Sequence, residues 1–377
     1  MAIPVGEYES LAQQVLEVYN EAELTMIRRV ARRLLKGVNA PGWAERKLSE
    51  TAQVHRQLSE LLAALTKNRG KITSDTLETA YADAQKWCFA DAKAYAQSIG
   101  ILHIAPNSAK VADILSDLNR RLDAADRRIL RQCDDAYADV IADASALVAT
   151  GSITYREAVG RALRDFADKG ISSFVDRSGR TWQMGTYAEM AVLTAITQAT
   201  VSGYTDTMQS YGYDLAMISS HMDACPLCEA WQGVVVSVSG TNRRYPSLDD
   251  AYAAGVFHPR CLHHISIYHE GITHGTLRSR PQAVQQPSEG YTARSRQRYC
   301  ERQIRRYKRR QAAAATPEEE REAFNMVRKW QRITRQHIQN APTTLLRHYD
   351  REGGRVKLSV TAAEDALQVV RDGVSKS

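Results

Sequence analysis

Three cysteines and two histidines in the middle of the chain have the types and the spacing of metal ligands. Cys225 and Cys228 form a C-x2-C pair, and His258 and Cys261 form an H-x2-C pair after a long loop. Two ligands separated by two residues can turn both side chains onto one cation, so each pair supplies half of a tetrahedral site. His263 follows Cys261 by two residues. On a strand it would point the same way, so it can replace His258 as the fourth ligand.

Zinc is the cation that this set of donors fits best. Soft thiolates with one imidazole and no redox demand favour a closed, structural site. In a module of about 60 residues with little apolar mass, the metal would supply folding energy that a small core cannot. Three alternatives stay open: a redox-active C-x-x-C pair, a structural disulfide and a catalytic zinc. The sequence lacks the βαβ pattern expected for the first and the H-E-x-x-H or H-x-E pattern expected for the last.

The residues before position 150 predict a helical bundle. Apolar residues recur at spacings of three or four, which gives each predicted helix one apolar stripe. The stripes predict helices at 8–36, 54–70, about 74–97 and, as the longest, from 111 to beyond 137. Gly37, Gly70 and Gly100 are the predicted breaks between them.

Residues 151–275 predict a smaller unit that mixes helices with strands and contains the candidate zinc ligands. Thr154 and Glu157 have the spacing of a capping box, which starts a helix. The other predicted elements are a hairpin at 174–182 that turns at Ser178-Gly179, a helix from Thr186 to about Tyr211, and strands at 215–219, 234–238 and 265–268. The prediction is a small α+β module stapled by zinc.

A polar, proline-containing linker at 276–290 is predicted to precede a basic tail at 291–377. Within the tail we predict helices at 294–311 and after a cap at Thr316, and a short last helix from Thr361. The predicted fold class is therefore mostly α, with an N-terminal helical bundle at 1–150, the small α+β zinc-stapled module and basic C-terminal helices.

The net charge of +7 comes from one C-terminal segment. Between Arg278 and Asp350, 17 Lys and Arg stand against 7 Asp and Glu, whereas the rest of the chain is slightly acidic. Such asymmetry predicts a polyanionic partner. The candidate nucleic-acid-binding residues are Arg302, Arg305, Arg306, Lys308, Arg309 and Arg310. On a helix they would lie around most of the circumference, and a helix so charged gains nothing by packing on itself but can displace counterions from phosphates. An acidic protein surface as the partner, or a merely solvated face, are the alternatives.

Composition excludes a membrane-spanning protein. Hydrophobic residues make up 44% and charged residues 25% of the chain, as in ordinary water-soluble globular proteins. No window approaches the run of about 18 apolar residues that a membrane-spanning helix needs. The N-terminus has neither the basic nor the apolar region of a secretory signal, so we expect the protein to be made in a reducing cytoplasm.

Several motifs surround the candidate zinc ligands. In chain order they are Tyr187-Ala-Glu-Met190, Gly203, Tyr211-Gly212, Ser220-His-x-Asp-Ala-Cys-Pro-Leu-Cys228, Trp231-Gln-Gly233, Tyr245-Pro-Ser247, Gly255 and His258-Pro-Arg-Cys261-Leu-His263. Together they resemble the phage minor capsid protein type 2 family, which is akin to the Mu F-like minor head proteins. The resemblance is densest over 170–275 and continues through Arg298-Tyr-x-Glu-Arg-Gln-Ile304 and Trp330-Gln331. Related sequences often have H-P-N-C-R where this chain has His258-Pro-Arg-Cys261-Leu, a difference that keeps the metal-capable residues.

The resemblance implies a structural, non-enzymatic role in the head of a tailed phage. Such proteins are minor head components, generally encoded beside the portal protein and packaged in few copies. The implied location is the capsid interior at or near the portal vertex, after synthesis in the host cytoplasm. The implied partners are the portal protein, the major capsid protein or both, and packaged double-stranded DNA bound non-specifically. Assistance in genome packaging or delivery is the implied function.

A zinc-containing DNA nuclease of the HNH type is the alternative function. The C-x-x-C pair, the adjacent His263 and His264 and the basic tail would suit it. Such a nuclease also needs a metal-binding Asn or His set on a ββα element beside its general base. After His264 the chain offers only His269 and His274 before the basic helices, and the expected Asn is absent.

Overall fold

A computed structural model describes residues 5–95, 108–151, 153–175, 179, 181–343 and 345–353 of the chain. Over these residues the fold is mostly helical, as predicted, with two small antiparallel sheets. The predicted helix from Thr361 and Ser178 of the predicted hairpin turn lie outside the described residues. No described helix has the length and the apolar content that crossing a membrane requires.

The N-terminal part is a helical bundle with one apolar core, as predicted. Its helices are α1 (Val5–Leu35), α2 (Trp43–Ser49), α3 (Thr51–Tyr95) and α4 (Ser108–Ala149). The apolar stripes face inward: Met26, Val30 and Leu34 of α1 are fully buried, as are Leu58 of α3 and Leu122 of α4. Burying such a stripe is the main source of stability for helices of this kind.

Helix α3 continues through the predicted break near Gly70. The sequence predicts separate helices at 54–70 and 74–97, but residues 51–95 form one helix, so that prediction is wrong. A helical glycine costs only about 1 kcal/mol relative to alanine. The apolar residues Leu65 and Leu77 on either side of it are buried in the same core. Burial of a shared stripe therefore outweighs the local helix propensity.

The predicted capping box begins the next helix, α5 (Tyr155–Lys169). The Thr154 backbone N–H donates to the Glu157 carboxylate at 2.9 Å, and the Glu157 backbone N–H donates to the Thr154 hydroxyl at 3.3 Å. The predicted hairpin follows as β1 (Ser172–Val175) and β2 (Thr181–Gln183), which pair antiparallel.

The central helix of the fold is α6 (Met184–Ser210), which packs against α1, α3 and α4. Most of its side chains are buried, so it has no broad polar face. Glu189 is the one charged residue in its first five turns, and it is 2% exposed. A carboxylate in such surroundings needs buried partners.

A three-stranded antiparallel sheet forms the core of the α+β module. The elements of the module are β3 (Leu215–Ile218), α7 (Pro226–Glu229), β4 (Val235–Ser237), α8 (Leu248–Ala253) and β5 (Ile265–Ile267). The strand order is β4-β3-β5, with β3 in the middle. Ala216 lies opposite Val236 on one side and Ile267 on the other, and all three are buried. The three predicted strands are confirmed.

The basic region folds as two long helices that pack on each other, α9 (Glu289–Ala312) and α10 (Pro317–Gln339), followed by a 3-10 turn at Asp350–Glu352. The backbone N–H of Glu319 donates to the Thr316 hydroxyl at 3.3 Å, which caps α10 as predicted. Helix α9 also packs against α1 and α5. The expectation that so charged a helix gains nothing by packing is therefore wrong. The boundaries of the four predicted domains stay predictions.

Candidate metal centre and basic helix

Each ligand pair lies in a connection between strands of the small sheet. Cys225 and Cys228 lie between β3 and β4, and His258 and Cys261 lie between α8 and β5. Cys225 is the N-cap of α7 and Cys228 lies inside it, with Pro226 at the first helical position, where its missing N–H costs nothing. One helical turn thus brings the thiols together. The second pair lies in the loop before β5, where the Cys261 backbone N–H donates to the His258 carbonyl at 2.8 Å.

The structure brings all five predicted ligands together. Cys225 Sγ lies 3.0 Å from His258 Nε2, and Cys228 Sγ lies 3.6 Å from Cys261 Sγ. His263 Nδ1 lies 3.4 Å from Cys261 Sγ. The ligands form two groups of three residues, and within each group all donor atoms lie within 4.8 Å of one another. Both groups contain Cys228. One group adds Cys225 and His258, and the other adds Cys261 and His263. Each histidine therefore lies close to two of the three thiols.

The thiols influence one another strongly. A hydrogen bond from Cys228 lowers the pKa of Cys225 to about 3, and a contact with His258 acts in the same direction. A hydrogen bond from Cys228 also lowers the pKa of Cys261, to about 4, while the two neighbouring sulfurs raise the pKa of Cys228. The contacts among the three sulfurs thus favour the thiolate at Cys225 and Cys261. The thiolate is the metal-binding form of cysteine.

The imidazoles are oriented by further contacts. His258 Nδ1 lies 2.8 Å from the Pro259 carbonyl oxygen. Because a carbonyl only accepts hydrogen bonds, Nδ1 carries a proton and donates it, and Nε2 faces Cys225. His221 Nδ1 contacts the Asp223 carboxylate at 2.7 Å, and its Nε2 lies 3.2 Å from His263 Nδ1. The buried Nε2 of His263 has no hydrogen-bond partner among the described residues. Outer partners of this kind fix the ring orientation of metal-binding histidines.

The Trp231-Gln-Gly233 motif supports the loop geometry. The Gln232 side chain accepts a hydrogen bond from the His221 backbone N–H at 2.5 Å. Gly233 has φ of +71°, and a Cβ at this position would come within 2.1 Å of the Thr276 carbonyl. Only glycine fits there, because other residues would combine a left-handed backbone with a steric clash.

The predicted DNA-binding cations do not form one surface. Arg305 and Arg309 are buried, and Arg305 donates to the Arg351 carbonyl and to Thr186. Arg309 donates to the Ala167 carbonyl at 2.8 Å and lies 3.8 Å from Glu23.

The remaining four of those cations are less deeply placed. Arg306 and Arg310 are half-buried, and each makes a two-point contact with Asp168 of α5 at 2.5–2.9 Å. Lys308 donates to the Gly353 carbonyl at 3.1 Å. Of the six, Arg302 is the exposed one. The correction is that the other five point toward the rest of the chain, because α5 and the 345–353 segment supply acceptors that cation counts cannot indicate.

Sequence reasoning missed Glu189 as a site residue. Arginines from three segments reach its carboxylate: Arg260 from the loop before β5, Arg298 from α9, and Arg351 from the 3-10 turn. Burial alone would raise the pKa of Glu189, but the surrounding arginines outweigh it and hold the pKa well below its usual range. The signal in the sequence was a single acidic residue within the first five turns of an apolar helix.

The histidine that a nuclease would need is poorly accessible. His264 is 4% exposed, and burial lowers its pKa to about 3. A general base must come within hydrogen-bond reach of the proton that it abstracts. In this conformation His264 is covered by protein, which weighs against the nuclease alternative.

Comparisons with known proteins identify the class of protein to which this arrangement belongs. A relative described as "Structural protein" of Lactococcus phage LL-H is 29% identical over 232 residues, which cover 57% of this chain and 61% of that protein. The model of the family described as phage minor capsid protein 2 matches residues 6–339. The chain therefore belongs to the phage minor capsid protein 2 family, which confirms the resemblance seen in its motifs. No solved structure matches the chain.

Proposed function

We propose that this minor capsid protein lies inside the phage head at or near the portal vertex and holds packaged double-stranded DNA non-specifically. Its protein partners there are the portal protein, the major capsid protein or both, and its role is to assist genome packaging or delivery. The observation that carries the DNA contact is a set of exposed cations, which we propose to act together and term the exposed cationic face. It consists of Arg296, Arg302, Arg328, Lys329, Arg332 and Arg335 on α9 and α10.

An aromatic contact joins the two helices that carry these cations. The rings of Tyr299 on α9 and Trp330 on α10 meet edge to face, with centroids 5.7 Å apart. Arg296 and Arg302 lie over the Tyr299 ring at 5.3 and 5.9 Å. Cations stacked on an exposed ring keep their charge in solvent while their stems are ordered.

The half of the face on α10 has no acidic neighbours along the helix. Arg328, Arg332 and Arg335 follow one another at spacings of four and three, which puts them on one side. The sequence from Ala323 to Asn340 contains no Asp or Glu. Such unpaired charge attracts phosphates and releases their counterions, which gives binding that ignores base sequence and weakens with salt.

DNA affinity as a function of salt tests this contact. A variant with Arg296, Arg302, Arg328 and Arg332 changed to Gln should lose about 0.9 units of the log K against log salt slope for each phosphate contact removed. A matched control changes four exposed cations of the bundle to Gln: Arg32, Arg56, Lys67 and Arg131. The control has the same net charge but should keep the parent slope. Equal slopes for the two variants would contradict the proposed face.

The location in the head is tested in intact particles. The bundle offers long rods for recognition, because α3 and α4 have 45 and 42 residues. A cryo-EM map computed without imposed icosahedral symmetry should contain these paired rods inside the shell beside the portal. Density for the protein spread over the shell, or on its outer surface, would contradict the proposal.

We propose also that one structural zinc ion is bound by Cys225, Cys228, Cys261 and His258, with His263 as the substitute fourth ligand. The chemistry of the donors supports this fit, since three buried or half-buried sulfurs converge with imidazole nitrogens. Zinc bound there would crosslink the α7 loop to the loop before β5. Both loops begin or end at the small sheet, so the crosslink would stabilise the whole module.

Metal analysis and two variants test the zinc site. Purified protein should contain about one equivalent of zinc, and the three thiols should react only after chelation. His258→Ala should weaken zinc binding more than His263→Ala if His258 is the fourth ligand, and the reverse order would assign His263. Less than half an equivalent with freely reactive thiols would refute the site.

The proposed role is structural, so DNA should survive incubation with the protein in Mg²⁺, Mn²⁺ or Zn²⁺. Cleavage that disappears in the His264→Ala variant would instead favour the nuclease. A matched His274→Ala variant changes an exposed histidine and controls for the loss of an imidazole.

A further inference from the structure

The buried carboxylate of Glu189 is shared by three arginines that come from distant parts of the chain. Arg260 contacts Oε2, whereas Arg298 and Arg351 donate to Oε1 at 3.0 and 2.6 Å. Arg298 lies on α9 and Arg351 in the 3-10 turn, so these two arginines hold the carboxylate from the side away from the metal loop. Oε2 is left for Arg260, which lies between two candidate zinc ligands.

The backbone at Arg260 has a conformation that arginine rarely adopts. Its φ is +69°, in the left-handed region that favours Gly, Asn and Asp. This conformation turns the chain sharply between His258 and Cys261, and the Cys261 N–H then closes the turn on the His258 carbonyl at 2.8 Å. An arginine is retained there at a conformational cost, so a contact of its side chain must favour the turn.

A second contact from the same helix holds the next residue of the loop. The Thr197 hydroxyl of α6 lies 3.2 Å from the Cys261 carbonyl. Thr197 and Glu189 are eight residues apart, so they lie on one side of α6, two turns from each other. Helix α6 therefore holds Arg260 through its side chain and Cys261 through its backbone.

We propose that Glu189 is a positioning residue of the metal centre, which holds Arg260 in the left-handed turn and so presents His258 and Cys261 to the cation. This inference rests on the proposed zinc site. Because α6 is the central helix of the fold, the turn is ordered before metal arrives, and less of the binding free energy is spent on ordering it. Changes to groups that orient metal ligands typically weaken metal binding ten- to a hundredfold.

Zinc affinity, measured by competition with a chromophoric chelator, tests this role in full-length protein. Glu189→Gln removes the charge and keeps the volume, and Arg260→Asn removes the guanidinium but tolerates the left-handed backbone. Glu189→Gln should bind zinc ten- to a hundredfold more weakly than the parent. Arg260→Asn should bind zinc about as tightly as the parent, because asparagine holds the left-handed turn without the contact to Glu189. Cobalt spectra should stay those of a thiolate-rich tetrahedral site, because no ligand has been changed.

The double variant separates positioning from general destabilisation. If Glu189 acts on the metal by holding Arg260 in the turn, Arg260→Asn should restore most of the zinc affinity lost in Glu189→Gln. A general loss of stability would not be restored. Arg351→Met is the local control, since it disturbs the same carboxylate without touching the loop, and its zinc affinity should stay within about threefold of the parent.

Each outcome is decisive. Parent-like zinc affinity in Glu189→Gln, or no restoration in the double variant, would overturn the positioning role while leaving the zinc site intact. A loss with Arg351→Met as large as with Glu189→Gln would also overturn it, because the cluster would then act only through stability. A parent protein that binds no zinc would remove both proposals. Should Glu189→Gln fail to fold, Arg260→Gln decides instead, because it keeps the strained backbone, removes the guanidinium and changes a residue that is only partly buried. Parent-like zinc affinity in Arg260→Gln would then overturn the positioning role.

Discussion

The module with the candidate metal ligands and the basic helix both keep polar groups inside the protein, but these groups face different kinds of partner. In α9, the buried Arg309 finds the Ala167 carbonyl and Glu23, and Arg306 and Arg310 share Asp168. These cations are satisfied by the chain itself.

In the module, thiols and imidazoles face one another in both donor groups. The two neighbouring sulfurs raise the pKa of Cys228, and His263 Nε2 has no hydrogen-bond partner among the described residues. Polar groups that find partners within the chain indicate a structural role, whereas thiols and imidazoles that converge on one another have the composition of a metal site. The comparison therefore favours an architectural role for the inward side of α9 and supports the metal site proposed at the cysteine cluster.

The largest expected effect is the loss of the thiol that both donor groups share. Cys228→Ser should remove zinc binding and unfold the module, because the variant loses a soft ligand from either possible site. Zinc content and the loss of amide protection in residues 215–268 on hydrogen exchange would measure it. Cys133→Ala, a buried thiol of the bundle, is the control and should keep full zinc content. Stoichiometric zinc in Cys228→Ser would break the distinction drawn between the two regions.

The next largest effect concerns the buried end of the basic helix. Arg309→Met should lower the free energy of unfolding by about 3 kcal/mol, because Glu23 and the Ala167 carbonyl lose a buried cationic partner. The exposed Arg335→Gln on α10 is the control, and its change should stay within about 0.5 kcal/mol. Urea denaturation measures both. Similar values for the two variants would mean that α9 is no more integrated than a surface helix.

The sequence predicted the ligand cluster better than the basic helix for a physical reason. A C-x2-C spacing already determines which way two side chains point, since one helical turn separates them, so Cys225 and Cys228 needed no tertiary information. The number of cations in α9 determines no direction. Arg305 and Arg309 point inward because α1, α5, α6 and the 3-10 turn offer acceptors. Two of these acceptors, Thr186 and Ala167, lie more than a hundred positions away from the arginines in the sequence.

Helix boundaries show the same division between local and distant causes. The cap at Thr154 is a local device and was predicted correctly. The predicted break at Gly70 was wrong, because burial of apolar residues before and after Gly70 keeps α3 continuous despite the low helix propensity of glycine. Glu189 escaped notice as a hub because its three arginine partners come from loops and helices 71 to 162 positions away.

A smaller effect is expected from the carboxylate that joins α5 to α9. Burial alone would raise the pKa of Asp168, but hydrogen bonds from Arg306 and Arg310 outweigh it and hold the pKa well below its usual range. The stabilisation is thus complete above the ordinary Asp pKa of about 3.9 and is lost as the pH falls below it. Asp168→Asn should cost about 2 kcal/mol at pH 7, between the values for exposed and fully buried pairs.

Urea denaturation across pH tests the sign of that effect. The difference in free energy of unfolding between the parent and Asp168→Asn should be constant from pH 7 to about pH 5 and should shrink below about pH 4. Asp165→Asn, one turn earlier on α5, is the matched control and should show no such difference. A difference in free energy of unfolding that increases on acidification would show that the two arginines do not stabilise the charged carboxylate.

The smallest effect on stability should come with a measurable effect on DNA, and it separates the two sides of α9. Arg302→Gln should leave the free energy of unfolding within about 0.5 kcal/mol of the parent, because this side chain is exposed and contacts only the Tyr299 ring. It should nevertheless lower the salt slope of DNA binding by about 0.9, the value for one phosphate contact. Arg306→Gln should behave in the opposite way, with lower stability and an unchanged slope, since Arg306 is engaged by Asp168. If both variants change the slope equally, Arg306 must leave Asp168 to reach DNA, and the division of α9 into a structural side and a binding side would be wrong.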